Sequence, residues 1–448
     1  VSTAGDGEPT GTLGLWSGIG LVAANMIGAG VFLSAGFMAQ EMSAGWILLD
    51  WVAGMLLAMA GARAYGEVAR LVPRSGGEYR YLSELIHPSL GYLAGWASLF
   101  IGFAAPIAIN ALGAARFVAT VVPVEYPRVL ATLFILVLTG FHSYRLASSR
   151  WTQDALIVLK VLLLLAFVAM GLTLGESSWP TWRPPGGATG FEAGPFFGNM
   201  FWIAFAFSGW NAAIYAAGEF KNPTRDVPRA MIIGCGAVGV LYLLINWVFV
   251  ANLTPSDAIV VADAGPVLGH VVAQALIGPV GAKLMSIFIA LAFLSAMSAM
   301  ILVGPRVYAA MAADGFLPRI LVARRGRPPA GATLFQAAVS LVFVWTHSVR
   351  NALDSVGALL IIFSALTCLS LFALLRHRTL PRPRPIALVS AGAYVALSGW
   401  VLYYGIKHRI SSTLLYGAGA VMGAALVGYL VTARLRKPER GSAGEGAG

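Results

Sequence analysis

The chain alternates long apolar stretches with short polar connections, and the apolar stretches set its expected elements. Twelve can be read, at about 13–39, 45–71, 91–122, 127–147, 151–174, 195–220, 230–252, 281–312, 332–347, 355–375, 386–406 and 412–433. A helix rises ~1.5 Å per residue, so ~20 apolar residues cross the ~30 Å hydrocarbon core of a bilayer. Most of the twelve reach that length, and the ends of 332–347 and 386–406 are the least defined. The expected fold is an all-α polytopic membrane protein with twelve transmembrane helices, spans one to twelve. Residues 1–12 and 434–448 are Gly- and Glu-containing tails of disordered character.

Two of these spans are interrupted at their middles. Span one breaks at Ile27-Gly28-Ala29-Gly30, and span six, 195–220, breaks at Ser208-Gly209-Trp210-Asn211. Lipid offers no partner for free backbone groups, so a break at mid-depth belongs beside a polar cavity or inside protein. Spans one to five (13–174) and six to ten (195–375) form two units, with spans eleven and twelve (386–433) outside them. Five is odd, so the second unit enters the membrane from the opposite side and its first helix runs antiparallel to span one. The breaks then face each other, the arrangement that marks the substrate site of many carriers. The connection Thr254–Gly278, with a short helix expected at Pro266–Leu276, is a candidate lid.

Composition agrees. Of 448 residues, 58% are hydrophobic and only 11% charged, against ~25% charged in a soluble domain; the mean hydropathy is +0.77. The net charge of +11 is spread between the spans, so membrane topology explains it better than nucleic acid does. With the N-terminus inside, twenty of the 30 Lys and Arg residues fall on the cytoplasmic side and five outside, which puts both termini in the cytoplasm. The first twelve residues lack Lys and Arg and show no cleavable signal. Cys235 and Cys368 both fall within spans and read as buried thiols, not a disulfide framework.

An interrupted helix exposes N–H groups where its second half begins and C=O groups where its first half ends. The first end attracts a carboxylate and the second an ammonium, so the paired breaks suit an amino acid zwitterion. Gly28 and Gly30 allow backbone to approach a ligand; helix packing is the other use of such glycines. Nothing points to an enzyme. The six histidines sit at or near span ends without metal-ligand spacing, and no His-Glu-x-x-His motif occurs. Gly18-Ile19-Gly20-Leu21-Val22-Ala23 imitates a dinucleotide fingerprint but lies inside a membrane helix. No metal and no cofactor are expected.

Met26-Ile27-Gly28-Ala29-Gly30-Val31-Phe32 resembles the first-helix signature of the amino acid–polyamine–organocation superfamily. Phe207-Ser208-Gly209-Trp210-Asn211, Glu219-Phe220-Lys221-Asn222-Pro223 and Val227-Pro228-Arg229-Ala230 are similar to its L-type amino acid transporter branch. So are Ala64-Tyr65-Gly66-Glu67, Pro73-Arg74-Ser75-Gly76-Gly77-Glu78-Tyr79, Arg306-Val307-Tyr308 and Asp314-Gly315-Phe316-Leu317-Pro318. These matches run in order from residue 13 to about 320; the last four spans match by hydropathy alone.

The resemblance implies a five-plus-five inverted repeat and a sodium-independent permease or exchanger for neutral amino acids. It implies that Gly28, Ala29 and Gly30 offer backbone N–H groups to the substrate carboxylate. Ile27 and the backbone near Phe205 and Ser208 would receive the ammonium. Phe205 would be the aromatic gate, and Gly209 and Asn211 would complete the site at the second break. Ala29 departs from the Ser that many relatives carry. Proton-coupled, cationic amino acid and polyamine permeases share the fold, and a channel or sensor on it is the remaining alternative. No acidic residue is evident at the breaks, which favours neutral substrates.

Lys160 lies ten residues after Arg150, ~15 Å into the membrane, where an ionisable group is by default functional. By the resemblance it occupies the place of a coupling cation, bridging the first break to a hydroxyl of span eight, Ser295 or Ser298. A proton-coupled role and a permanently charged tether are both open. Asp50, six residues into span two, is expected to be partly exposed, and Arg63 with Glu67 to pair along that helix. Glu219, Lys221, Arg225, Asp226, Arg306 and Asp314 gather at cytoplasmic helix ends as an inner gate.

Relatives in the L-type branch join a heavy subunit through a cysteine between spans three and four. The loop Val121–Pro127 has none, so no covalent heavy chain is expected. The reading is a free-standing permease in an inner (plasma) membrane, surrounded by lipid and sufficient as a monomer. Nucleic acid is not among its expected partners.

Overall fold

The computed structural model describes residues 11–143, 150–176, 190–253, 268–322, 329–376, 381–410, 419, 422–430 and 432, with the backbone alone for 150–156. Most of both tails, the proposed lid as far as residue 267, and part of span twelve lie outside these residues.

Helices account for nearly all of the described chain, and proline punctuates them. Pro88, Pro127, Pro223, Pro305 and Pro385 each open a helix, where a missing N–H leaves nothing unpaired and φ is already helical. Ser348 caps Val349–Ala373 by accepting the Asn351 N–H. Among the described residues, seven helices are long and apolar enough to cross a membrane, and eight if the bent pair Leu15–Met26 and Ala29–Met38 is one span; Pro127–Ser143 and Ala330–Thr346 are shorter apolar helices. Many large apolar side chains point outward, among them Val137, Leu162, Leu284 and Val389. Around a soluble core such a belt would be an association surface; around this bundle it is a lipid-facing one.

Spans one and six occupy the centre. Their halves pack on each other and on span seven, span one also packs on span eight, and span six on spans two, ten and eleven. They run antiparallel, as a series of pairs demonstrates. The Phe37 and Trp202 rings lie 5.3 Å apart, Ser34 Oγ donates to Trp202 O, a Cβ on Gly30 would fall 2.3 Å from Ala206 Cα, and one on Gly209 would fall 2.7 Å from Asn25 C. As the number rises along one helix it falls along the other. Span three, Pro88–Ala119, widens into a π-helical turn at Ser98–Ala104, an irregularity common at functional sites. The helix beginning at Leu268 bends at Gly278, where φ is +73°.

Two local expectations change. Asp50 is completely buried, not partly exposed, because span two packs along its length against span seven and against six and eleven. Glu67 pairs with Arg70 at 2.7 Å and accepts the Arg384 N–H, so Arg63 is not its partner.

Candidate substrate site

The first break is two residues long. Leu15–Met26 ends at Ile27, whose ψ of 91° takes the chain out of the helix. Gly28 is extended, and Ala29 starts the second half. Four positions at each new terminus lack intrahelical partners, and side chains from other spans take up several of them. Lys160 Nζ donates to Ile27 O at 2.8 Å and Ala24 O at 3.3 Å. On the other side, Ala29 N–H donates to Asn110 Oδ1 at 3.0 Å. Lys160 is where its depth places it, buried against the carbonyl end. Ser298 Oγ lies 2.8 Å from His142 Nε2, a contact from span four that the sequence does not announce; Ser295 is half-buried on the same helix.

The second break is longer. Ala193–Ala206 ends at Phe207, a turn follows through Asn211, and helix resumes over Ala212–Tyr215. Gly209 carries it, with φ of +101°, a region that costs an L-residue ~1–2 kcal/mol. Tyr242 of span seven joins the two breaks: its hydroxyl donates between Met26 O at 2.6 Å and Ala206 O at 3.1 Å.

An acid does reach the second break, contrary to the sequence expectation. Glu78, on the helix Gly77–Leu85 outside the spans, is buried. Its Oε1 accepts from Asn211 Nδ2 at 2.6 Å and Tyr65 OH at 3.3 Å, and its Oε2 from Tyr215 OH at 2.5 Å. Burial pushes this carboxyl above the ordinary range, and the three donors hold it back part of the way. Both oxygens are thus committed to protein.

Ile27, Ala29 and Phe205 are buried within the packed core. A cavity opens instead on the other side of the second break, lined by Ser208, Gly209, Trp210 and Asn211 with Leu360 and Ser364 of span ten. Charged groups close the bundle at each end. At one, Arg350 and Arg409 both bind Glu41, and the Arg409 guanidinium lies 4.2 Å from the Trp202 ring centre. At the other, Arg306 pairs with Glu219 and Arg80 with Asp314, each at 3.1 Å. Among the described residues, no group of three His, Cys, Asp or Glu side chains is placed to hold a metal ion.

Two antiparallel broken helices at the heart of an apolar bundle, with ion pairs at both ends, define a polytopic membrane carrier. Residues 13–427 match the amino acid permease family, and the chain belongs to it. The large neutral amino acids transporter small subunit 2 of mouse (Mus musculus) is 26% identical over 414 residues, 88% of this chain and 76% of that protein. Its human (Homo sapiens) counterpart is also 26% identical over 414 residues, 88% and 75% of the two chains. The mouse b(0,+)-type amino acid transporter 1 is 24% identical over 430 residues, 90% of this chain and 87% of the relative. The protein is therefore an amino acid permease and not an enzyme.

Proposed function

We propose that the protein carries neutral L-amino acids by sodium-independent alternating access, with the substrate's charged groups held at the first break. One observation carries the reading: Ile27 C=O and Ala29 N–H, two residues apart, present opposite polarity where the helix is interrupted. An α-ammonium and an α-carboxylate are separated by one carbon, so both reach such a break. Gly28 and Gly30 let Asn110 and the span-six backbone close in around the break, Phe205 closes over the site, and Ser208, Gly209 and Asn211 border the space for the side chain. Lys160 places its amine, bonded to Ile27 O and Ala24 O, where a coupling cation would otherwise be needed. Ser298, or Ser295, completes that corner.

Spans one to five and six to ten act as inverted repeats within a twelve-span bundle, in a plasma membrane with both termini cytoplasmic. The names of the mouse and human relatives include the word subunit, yet Val121–Pro127 offers no cysteine for a covalent partner. The protein works here without one. The names of the b(0,+)-type relatives leave cationic substrates in view, but the cavity at the second break is lined mostly by apolar residues, among them Leu57, Met200, Phe207 and Leu360, and Glu78 is already engaged by three donors, which favours neutral side chains.

Purified protein in liposomes tests this. Uptake of labelled leucine, alanine or phenylalanine should equal itself in sodium and choline buffers, and lysine should compete poorly. Correctly inserted protein that moves none of the twenty amino acids would sink the proposal.

A further inference from the structure

Both ends of the first break are bonded by this chain's own side chains, and the bond at the amide end competes with substrate. Asn110 is 1% exposed. Its Oδ1 accepts the Ala29 N–H at 3.0 Å, and its Nδ2 donates to Pro106 O at 2.8 Å in its own helix. One orientation of the amide satisfies both bonds, oxygen toward Ala29 and nitrogen toward Pro106. The same oxygen lies 3.0 Å from where a Gly28 Cβ would sit, so glycine gives the amide its access. A carboxylate seated on the leading N–H of Ala29–Met38 needs the donor that Asn110 holds. The two are mutually exclusive there.

Their order of strength is set by charge. A carboxylate accepts a stronger hydrogen bond than a neutral amide oxygen, so substrate displaces Asn110, and Asn110 returns when substrate leaves. The return matters for the transport cycle. A carrier running net flux must reorient once per cycle without substrate, and the break then crosses a closed, dry conformation. An N–H left unpaired in that step penalises it; an obligate exchanger is a carrier for which such a step is too slow.

We propose that Asn110 takes the carboxylate's place during substrate-free reorientation, so that this protein supports net flux as well as exchange. The inference rests on the reading of the first break as the carboxylate site.

Full-length protein in liposomes loaded with radiolabelled L-leucine is diluted into substrate-free buffer or into buffer with unlabelled leucine. Wild type releases label in both. Asn110→Leu, similar in volume but without an acceptor, should slow release into substrate-free buffer about ten-fold more than release by exchange. Asn110→Asp keeps an acceptor in place; its ratio of the two rates should stay at wild type while its apparent KM for leucine rises several-fold. Wild type that releases label only by exchange overturns the proposal. So does a loss in Asn110→Leu that is equal for both modes, which assigns the residue to structure, or no loss in either. Wild type that carries no amino acid removes the site reading itself, a distinct result.

Discussion

At the scale of single residues, the functional weight falls on polar groups placed where the backbone lacks partners. Lys160 is the clearest. Its ammonium, 3% exposed, gains two carbonyl bonds that exist as acceptors only because span one is interrupted. Lys160→Ala removes both donors and leaves buried carbonyls unpaired, each such group worth ~1–3 kcal/mol. Leucine uptake by that variant should fall at least ten-fold while the protein still reaches the membrane; wild-type kinetics would take Lys160 out of the mechanism. Lys160 was legible because its depth follows from counting along one helix. Asn110 and Tyr242 were not, because each acts across a contact between distant segments, 81 and 216 residues away. The signal for Asn110 is an amide near the middle of a mostly apolar span. Asp50 shows the limit of depth counting, which measures distance from an end and not what packs beside it.

At the scale of elements, both interruptions were readable from glycine-containing segments in otherwise continuous apolar helices, and each has its physical cause in the structure. Gly30 is needed because the backbone of span six arrives within contact of its Cα, and Gly209 because its φ is positive. What could not be read was which short helix would reach the second break. Gly77–Leu85 does so through Glu78, part of a motif that could be quoted but not placed. Its acidity yields a prediction. A carboxyl raised by burial binds its proton more tightly folded than unfolded, so the folded state loses stability as pH rises from about 4, the ordinary glutamate value, through the raised one. The melting temperature of detergent-solubilised protein should fall over that interval, and Glu78→Gln should flatten part of the slope. Identical slopes in the two proteins would assign the pH dependence to other groups.

At the scale of the whole molecule, the bundle is tied at both ends by charged networks, and their chemistry differs. The Arg306–Glu219 and Arg80–Asp314 pairs are partly exposed, so each is worth at most ~1 kcal/mol. The opposite end joins two guanidinium groups to one carboxylate, Glu41, and adds the Trp202 face, where cation–π attraction contributes ~0.5–2 kcal/mol. Trp202 Nε1 in turn donates to Asp354 Oδ1 at 2.6 Å. Glu41→Gln removes the charge that both arginines share. A cysteine at Ser34, buried against Trp202 O, should then react several-fold faster with a membrane-impermeant thiol reagent. An unchanged rate would mean that this network does not hold the end closed. Cys235 and Cys368 are buried and provide a low background.

The Tyr242 hydroxyl has one hydrogen and two carbonyls to serve, Met26 on one discontinuous helix and Ala206 on the other. Neither helix can slide along its neighbour without forfeiting a share of that proton. Span seven therefore acts as a splint: through one phenol it is fastened to both discontinuous helices at the level where each loses its own ladder.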